Sequence, residues 1–432
     1  MPQAASGFPI REVVIVGGGY GALAAALALH KVGIPTLVLE RAPTTRQEGF
    51  AWVALNNAWR AFEALGVADD IRKDHMPQTR INYADSHQVV YRSLDVQTVG
   101  PRKGLQRNEI RVIRRLAAPT AMADLLPEGT VHYGCKVVDV TTTPSGAEVE
   151  LDGGQKLQAK LVIAGDGVHS RSAAKYHKAT LRKAPVGSWR SLVELDCEQQ
   201  GKPESTFYSG PNIRAGTFPC AFDATRKKML WFFFVATVMS DQEMAGYDSH
   251  EKHVKGIRKH TRGWEAPHLE KCVSAAVPGG IQLSRIYERP VKAGEPWFEG
   301  CLTGVGDCAH ATRPDLMQGG AMAVEDGVEL GVFFREAMEE AGKPFGELTP
   351  AQIAAVLRKY ETARSHRVAQ IIAASTKTGN MFRRAGFLPR WLMRLVLAWL
   401  YQPFAFLDHT LWAPHGQLCP PLIGKHKDLA SA

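Results

Sequence analysis

Cysteine is scarce and poorly spaced for stapling a fold: seven residues, at positions 135, 197, 220, 272, 301, 308 and 419, with no Cys-x-x-Cys pair. An odd number scattered in this way excludes a disulfide framework and a zinc site, and it suits a reducing compartment. The first strand-like pattern starts at Arg11, which leaves no room ahead of it for the apolar core of a signal peptide. The expected location is therefore the cytoplasm. Internal repeats, low-complexity tracts and an obvious linker are also missing, as is any Ser-His-Asp set or cluster of metal ligands. Basic residues are dispersed and do not alternate with aromatics, so nucleic acid is not an expected partner.

What is present suits a large α/β protein. A chain of 432 residues can build one large or two closely joined domains. Lys and Arg outnumber Asp and Glu by 52 to 43, and the net charge of +9 favours anions: phosphates, acidic substrates or anionic lipid heads. Val13–Val16 is the continuous apolar run of a buried parallel strand, Ala22–His30 is helix-prone and ends at Gly33, and Thr36–Leu39 reads as a second strand. A further helix is predicted over Ala58–Leu65, stopping at Gly66. Residues 80–105 alternate in short segments, and 130–164 read as β-rich with a hairpin turn at Asp152-Gly153-Gly154. Strand signals dominate from 180 to 290, notably Met229–Val235, and helical patterns return over Ala321–Ala341 and Pro350–Thr376.

Between the first strand and helix stands Gly17-Gly18-Gly19-Tyr20-Gly21-Ala22. Gly17 permits a tight turn, Gly19 lets the backbone approach a pyrophosphate, and Ala22 takes the third glycine's place against the strand. The helix N-terminus offers unpaired N–H groups to phosphate. Glu40, ending the second strand beside Arg41, stands where an acid accepts hydrogen bonds from a ribose. The arrangement predicts a Rossmann-type dinucleotide site without deciding between FAD and NAD.

Two later motifs narrow that choice. One is the strand Leu161–Ala164 running into Gly165-Asp166-Gly167; the other is Gly304-Val305-Gly306-Asp307-Cys308-Ala309-His310 followed by Pro314-Asp315-Leu316-Met317-Gln318-Gly319-Gly320 and Val324-Glu325-Asp326. In this order the three motifs resemble the single-component flavoprotein monooxygenases that include salicylate and para-hydroxybenzoate hydroxylases. The late segment is most similar to the branch with zeaxanthin epoxidase, plant FAD monooxygenases and urate hydroxylase. The likeness runs from about residue 11 to about 375.

That resemblance implies non-covalent FAD in an α/β architecture: a Rossmann-type FAD domain, an inserted sheet-rich substrate domain and C-terminal helices. The FAD domain is expected from segments 1–79, 106–180 and 291–376, the substrate domain from 80–105 and 181–290, and a hydrophobic helical tail from 377–432. By the same resemblance, Asp307 binds a ribityl hydroxyl, and Gln318, Gly319 and Gly320 bring backbone N–H groups to the flavin's pyrimidine edge. Asp166 serves FAD and the nicotinamide, Arg115 contacts the flavin, and Gly49 and Ala51 line a segment near it. Arg190, in Trp189-Arg190-Ser191, matches a strand that carries a pocket arginine; Tyr208 is a second pocket candidate. Plainer roles exist for each: Asp307 as a cap, Asp166 as a turn residue, Arg115 as a surface cation, Arg190 as a charge at the sheet's edge. His310 is read as a packed turn residue, and Met322 and Trp231–Phe234 as core.

Three departures from the family pattern stand out: Met317 where glycine is common, Ala173 where arginine is often found, and the reversed order Ala164-Gly165 before Asp166. The implied activity is NAD(P)H-dependent hydroxylation or epoxidation of an aromatic or hydrophobic small molecule by O2, through a C4a-hydroperoxyflavin. With one nucleotide fingerprint in the chain, NADPH or NADH is expected as a transient reductant. The alternatives are a flavin halogenase or other flavin oxidoreductase, or a non-catalytic membrane-associated flavoprotein; the tryptophan-rich signature of many halogenases is not found. In the tail, Leu395–Leu407 is too short and contains Pro403, so it cannot span a bilayer. A helix packed on the body is expected over 387–413, with peripheral membrane contact through Trp391 and Trp399 as its rival.

Overall fold

The computed structural model describes residues 11–44, 50–96, 108–196 and 203–385, together with Leu392, Leu395, Thr410 and Trp412. Among these, two seven-stranded sheets and one two-stranded ribbon carry the fold. The first sheet runs in the order Val131–Tyr133, Thr36–Glu40, Arg11–Val16, Lys156–Ala164, Gly146–Leu151 and Val137–Thr143, and Leu302–Gly304 also pairs with Lys156–Ala164. Its central pairings are parallel, with Val16 level with Leu39 and Ala164, and Ala164 level with Gly304. The apolar run Val13–Val16 is buried, as a central parallel strand is when both of its faces are covered. Four strand ends therefore open onto one edge: Gly17, Arg41, Gly165 and Val305 follow them directly. The carboxyl edge of such a sheet is where ligands of this architecture bind.

Two helices sheathe this sheet from one side. Tyr20–Lys31 begins two residues before the predicted Ala22, and Gly319–Ala341 packs along it. Gly327 and Gly331, one turn apart, lie against Ala24 and Ala28: a Cβ at Gly327 would stand 2.4 Å from backbone atoms of Ala24 and Ala25. Small residues on both faces let the two helix backbones meet. Pro350–Ala385 then closes the outside.

The second sheet has the order Gln282–Glu288, Arg182–Asp196, Lys228–Val238, Ile213–Asp223, Ser205–Gly210, Arg80–Asp85 and Val90–Asp95. Because side chains alternate across a strand, its residues divide between two cores. Trp231 and Phe233 pack outward with Trp189, Tyr208, Ile257 and Leu269, under the helices His250–His260 and Pro267–Ser274. Phe232 and Phe234 point the other way, joining Phe207, Phe218 and Tyr83 toward the first sheet. The predicted core run is thus two half-cores back to back. Between the sheets lies the ribbon Ala51–Ala54 with Arg111–Arg114.

The tail lies mostly outside the described residues. Where it returns, Trp412 is buried, its indole N–H donates to Glu329 Oε1 at 3.1 Å, and Arg60 donates to the Trp412 carbonyl at 2.8 Å. Among the described residues no helix is long and apolar enough to cross a membrane.

Candidate cofactor and substrate site

At the carboxyl edge of the first sheet, Gly17 has φ +101°, and a Cβ there would lie 2.5 Å from the Gly165 carbonyl oxygen. No side chain fits this turn. Gly19 differs: a Cβ on it would meet only the Gly165 oxygen at 3.9 Å, so the space above it is open. Gly19 also ends the turn as the residue before the helix Tyr20–Lys31, which has no side-chain cap. Its first N–H groups and its positive pole face that space. Ala22 is buried, and a Cβ on Gly165 would come 2.9 Å from the Ala22 methyl. The reversed Ala164-Gly165 order has its reason here: with alanine in the third glycine's place, the facing strand end must be the bare one.

Glu40 braces the turn. Its Oε2 accepts from the Gly18 N–H at 2.6 Å and its Oε1 from the Ala42 N–H at 2.8 Å, while Arg41 is exposed beside it. Asp166 follows the neighbouring strand, half-buried; its Oδ1 is buried without a hydrogen-bond partner, and burial pushes its pKa up. Asp307 opens the short helix Asp307–His310 after the last strand. Its side chain is exposed at the carboxyl edge of the sheet, with Arg115 and Arg190 near it. Desolvation raises its pKa, against His310, Arg115 and Arg190, which draw it down.

The loop before Gly319–Ala341 borders the same cleft. Gln318 is fully buried, and its side-chain oxygen accepts from Asn57 at 2.8 Å, which anchors the loop from below. The helix has no side-chain cap, and a Cβ on Gly320 would touch the Trp52 ring at 3.1 Å. Ala51 is buried in the ribbon opposite Arg114; Gly49 lies outside the described residues. Arg115 takes its place through the backbone: its carbonyl accepts from the Tyr20 hydroxyl at 2.5 Å and its N–H donates to the Phe50 carbonyl at 2.8 Å.

Arg190 reaches the cleft from the second sheet. It shares the inner face with Leu192, stands over the Phe50 ring at 4.1 Å, and donates to the Ser284 hydroxyl. Arg115 lies over the same ring at 5.0 Å. Desolvation, with repulsion from Arg115, brings the Arg190 pKa down to about 10, leaving it charged at neutral pH. Its Nε is buried with no partner. Tyr208 is not brought to this cleft. It sits one residue past the inner-facing Phe207, so the period of the strand sends it into the outer core.

Several participants carried no role in the sequence reading. Glu325 and Asp326, quoted there only as part of a motif, anchor a buried network. Arg364 donates to Glu325 and Asp326, each at 2.8 Å; Arg367 donates to Glu325 at 2.7 Å; and His310 pairs with Asp326 at 2.6 Å. Burial alone would raise the Glu325 pKa, but Arg367 and Arg364 hold it at about 2. Asn57 ties Glu325 to Gln318, and the Gly306 N–H donates to Asp326 at 2.8 Å. The network therefore fixes both loops beside the cleft. On the substrate side, Arg214 pairs with Asp315 at 2.8 Å, linking the inner face to the loop just before Met317. A run of buried acids on a helix was the available signal, but its partners lie far off in sequence.

A family model described as an FAD binding domain matches residues 11–375. Monooxygenase 2 of Arabidopsis thaliana is 28% identical over 414 residues, covering 89% of this chain and 95% of that protein. An FAD-dependent urate hydroxylase of Klebsiella oxytoca is 26% identical over 373 residues, covering 85% and 89%. Among solved structures, Klebsiella pneumoniae HpxO complexed with FAD and uric acid superposes with a TM-score of 0.73 at 23% identity, covering 94% of each chain. Two features of this chain fit the same cofactor without reference to any relative: the open space above Gly19, and the unpartnered buried oxygen of Asp166.

Proposed function

The chain belongs to the FAD-binding-domain family, and from that membership we propose that it is an NAD(P)H-dependent FAD monooxygenase. Its substrate is a small aromatic or hydrophobic molecule bearing an anionic group, which it hydroxylates or epoxidises. One observation carries this reading: Asp307, just after the last strand of the first sheet, and Arg190, on the apolar inner face of the second, lie close enough to interact electrostatically, with Arg115 beside them and the open glycine turn following a neighbouring strand.

In this reading the turn Gly17–Gly19 and the helix after it take the pyrophosphate, and Glu40 takes a ribose hydroxyl with its remaining lone pairs. Asp307 binds the ribityl chain. Asp166 supplies its unpartnered oxygen to the same cofactor. FAD, once reduced by NADPH or NADH, supplies the activation of O2. The protein's own part is placement and dryness. The positive end of the helix Gly319–Ala341 stabilises negative charge at the adjacent ring edge. Phe207, Phe218 and Phe234 wall off water on the opposite side. Arg190, half-buried and charged at neutral pH, orients the substrate anion.

Purified protein should be yellow and release FAD on denaturation. A screen of phenolic and heteroaromatic acids should find compounds that accelerate NAD(P)H oxidation. Colourless protein that takes up no FAD would end this reading.

A further inference from the structure

Four non-glycine residues among those described have positive φ: Gln88, Asn212, Lys227 and Met317. The first three are polar and sit in hairpin turns between neighbouring strands of the second sheet. Met317 is the exception. It is apolar, lies outside any hairpin, and holds φ +57°, ψ +32° at the end of the short helix Pro314–Leu316. Left-handed backbone disfavours a residue with a Cβ, and glycine would adopt it freely. A methionine held there needs a compensating role for its side chain.

Packing supplies one. Met317 is half-buried and lies against the inner-face cluster of Phe207, Phe218, Phe232 and Leu316. Its backbone leads directly into Gln318-Gly319-Gly320. The side chain therefore bridges the gap between the loop at the cofactor cleft and the wall of the second sheet. Nothing on that wall yields easily: the rings of Phe218 and Phe234 already fill the space over Gly216, where a Cβ would meet them at 2.6 and 2.7 Å. Asp315, two residues earlier, is pinned by Arg214 and Arg313. The flexible thioether is the adjustable part of an otherwise fixed boundary.

We infer that Met317 is a specificity-determining residue that limits the cleft to a substrate with one compact ring. This rests on the proposed function, since it assumes that the substrate lies between the loop and the sheet. A methionine side chain carries four non-hydrogen atoms, and the second ring of a naphthalene adds four carbons to a benzene. Met317→Gly should therefore open room for a fused ring while also relieving the backbone.

The test uses salicylate and 1-hydroxy-2-naphthoate as probes, with affinity read from perturbation of the flavin spectrum, so that turnover is not required. Wild type should prefer salicylate. Met317→Gly should shift the affinity ratio toward the naphthoate by at least about 10-fold, with FAD content unchanged. Met317→Leu, which keeps the volume, should leave the ratio near wild type. No gain for the naphthoate in Met317→Gly, or an equal shift in Met317→Leu, overturns the inference. Failure of the monooxygenase reading would register separately, as absence of oxygenated product while the binding ratio still responds.

Discussion

The two ends of the cleft are built by different means. At the glycine turn the backbone makes the site: Gly17 is squeezed against the Gly165 carbonyl, Gly19 is left open, and both lie within a few residues of a strand end. At the sheet, side chains make it: Arg190, Phe50, Phe207 and Met317 come from four separate segments and meet only when two sheets face each other. A site made of local backbone leaves its signature in consecutive residues. A site made by facing surfaces depends on register, and a shift of one residue exchanges its side chains for those of the opposite face.

The largest effect should come from the network that holds both ends. Arg364→Met removes the arginine that Glu325 and Asp326 share, leaving Glu325 with Arg367 and Asp326 with His310, and breaking a buried pair in this way costs about 3–5 kcal/mol. The loss should appear as a lowered denaturation midpoint and weakened FAD retention. It has a pH signature as well. The folded Glu325 pKa is held at about 2, below its ordinary 4.5. Its contribution is therefore fully present above 4.5 and fades as pH falls toward 2. Stability of the variant should vary less over that window than that of wild type, and an unchanged acid slope would place the anchoring elsewhere.

A smaller effect separates two carboxylates at the backbone-built end. Asp307→Ala should release FAD more readily than Asp166→Ala, by roughly 1–3 kcal/mol of lost hydrogen bonding to a charged group, as read from cofactor dissociation constants. The reverse order would make Asp166 the principal ribityl contact.

The smallest changes sharpen the contrast between the faces of the second sheet. Arg190→Ala should weaken binding of an anionic substrate by about 10-fold or more while FAD remains bound. Tyr208→Phe should leave both affinities close to wild type, because the ring stays in the outer core. Substrate affinity that falls as far in Tyr208→Phe as in Arg190→Ala would erase the distinction between the faces.

The legibility of the sequence follows the same division. Val13–Val16, Gly17, Glu40 and the turn at Gly165 could be read directly, because each obeys a rule acting over a few neighbours. The α/β class followed from them. Tyr208 could not be separated from Phe207 in the same way: adjacent aromatics in one strand look alike until pairing assigns their faces. Arg190 was legible as a cation on a strand, but its stacking on Phe50 joins residues 140 positions apart. Glu325 showed only as an acid on a helix, since Asn57 and Arg364 approach it from distant helices. The reversed Ala164-Gly165 pair stood out as a departure, and its cause lay in the Ala22 methyl across the sheet.

The fate of the oxygen atoms is the most direct test of oxygen transfer. Wild-type enzyme supplied with NAD(P)H, a compound that stimulates its oxidation, and isotopically labelled O2 should yield product carrying one labelled oxygen atom. Most of the reducing equivalents should be recovered in that product. Labelled peroxide as the sole oxygen product with every stimulating compound would contradict oxygen transfer and leave the cleft as that of a flavin oxidase or reductase.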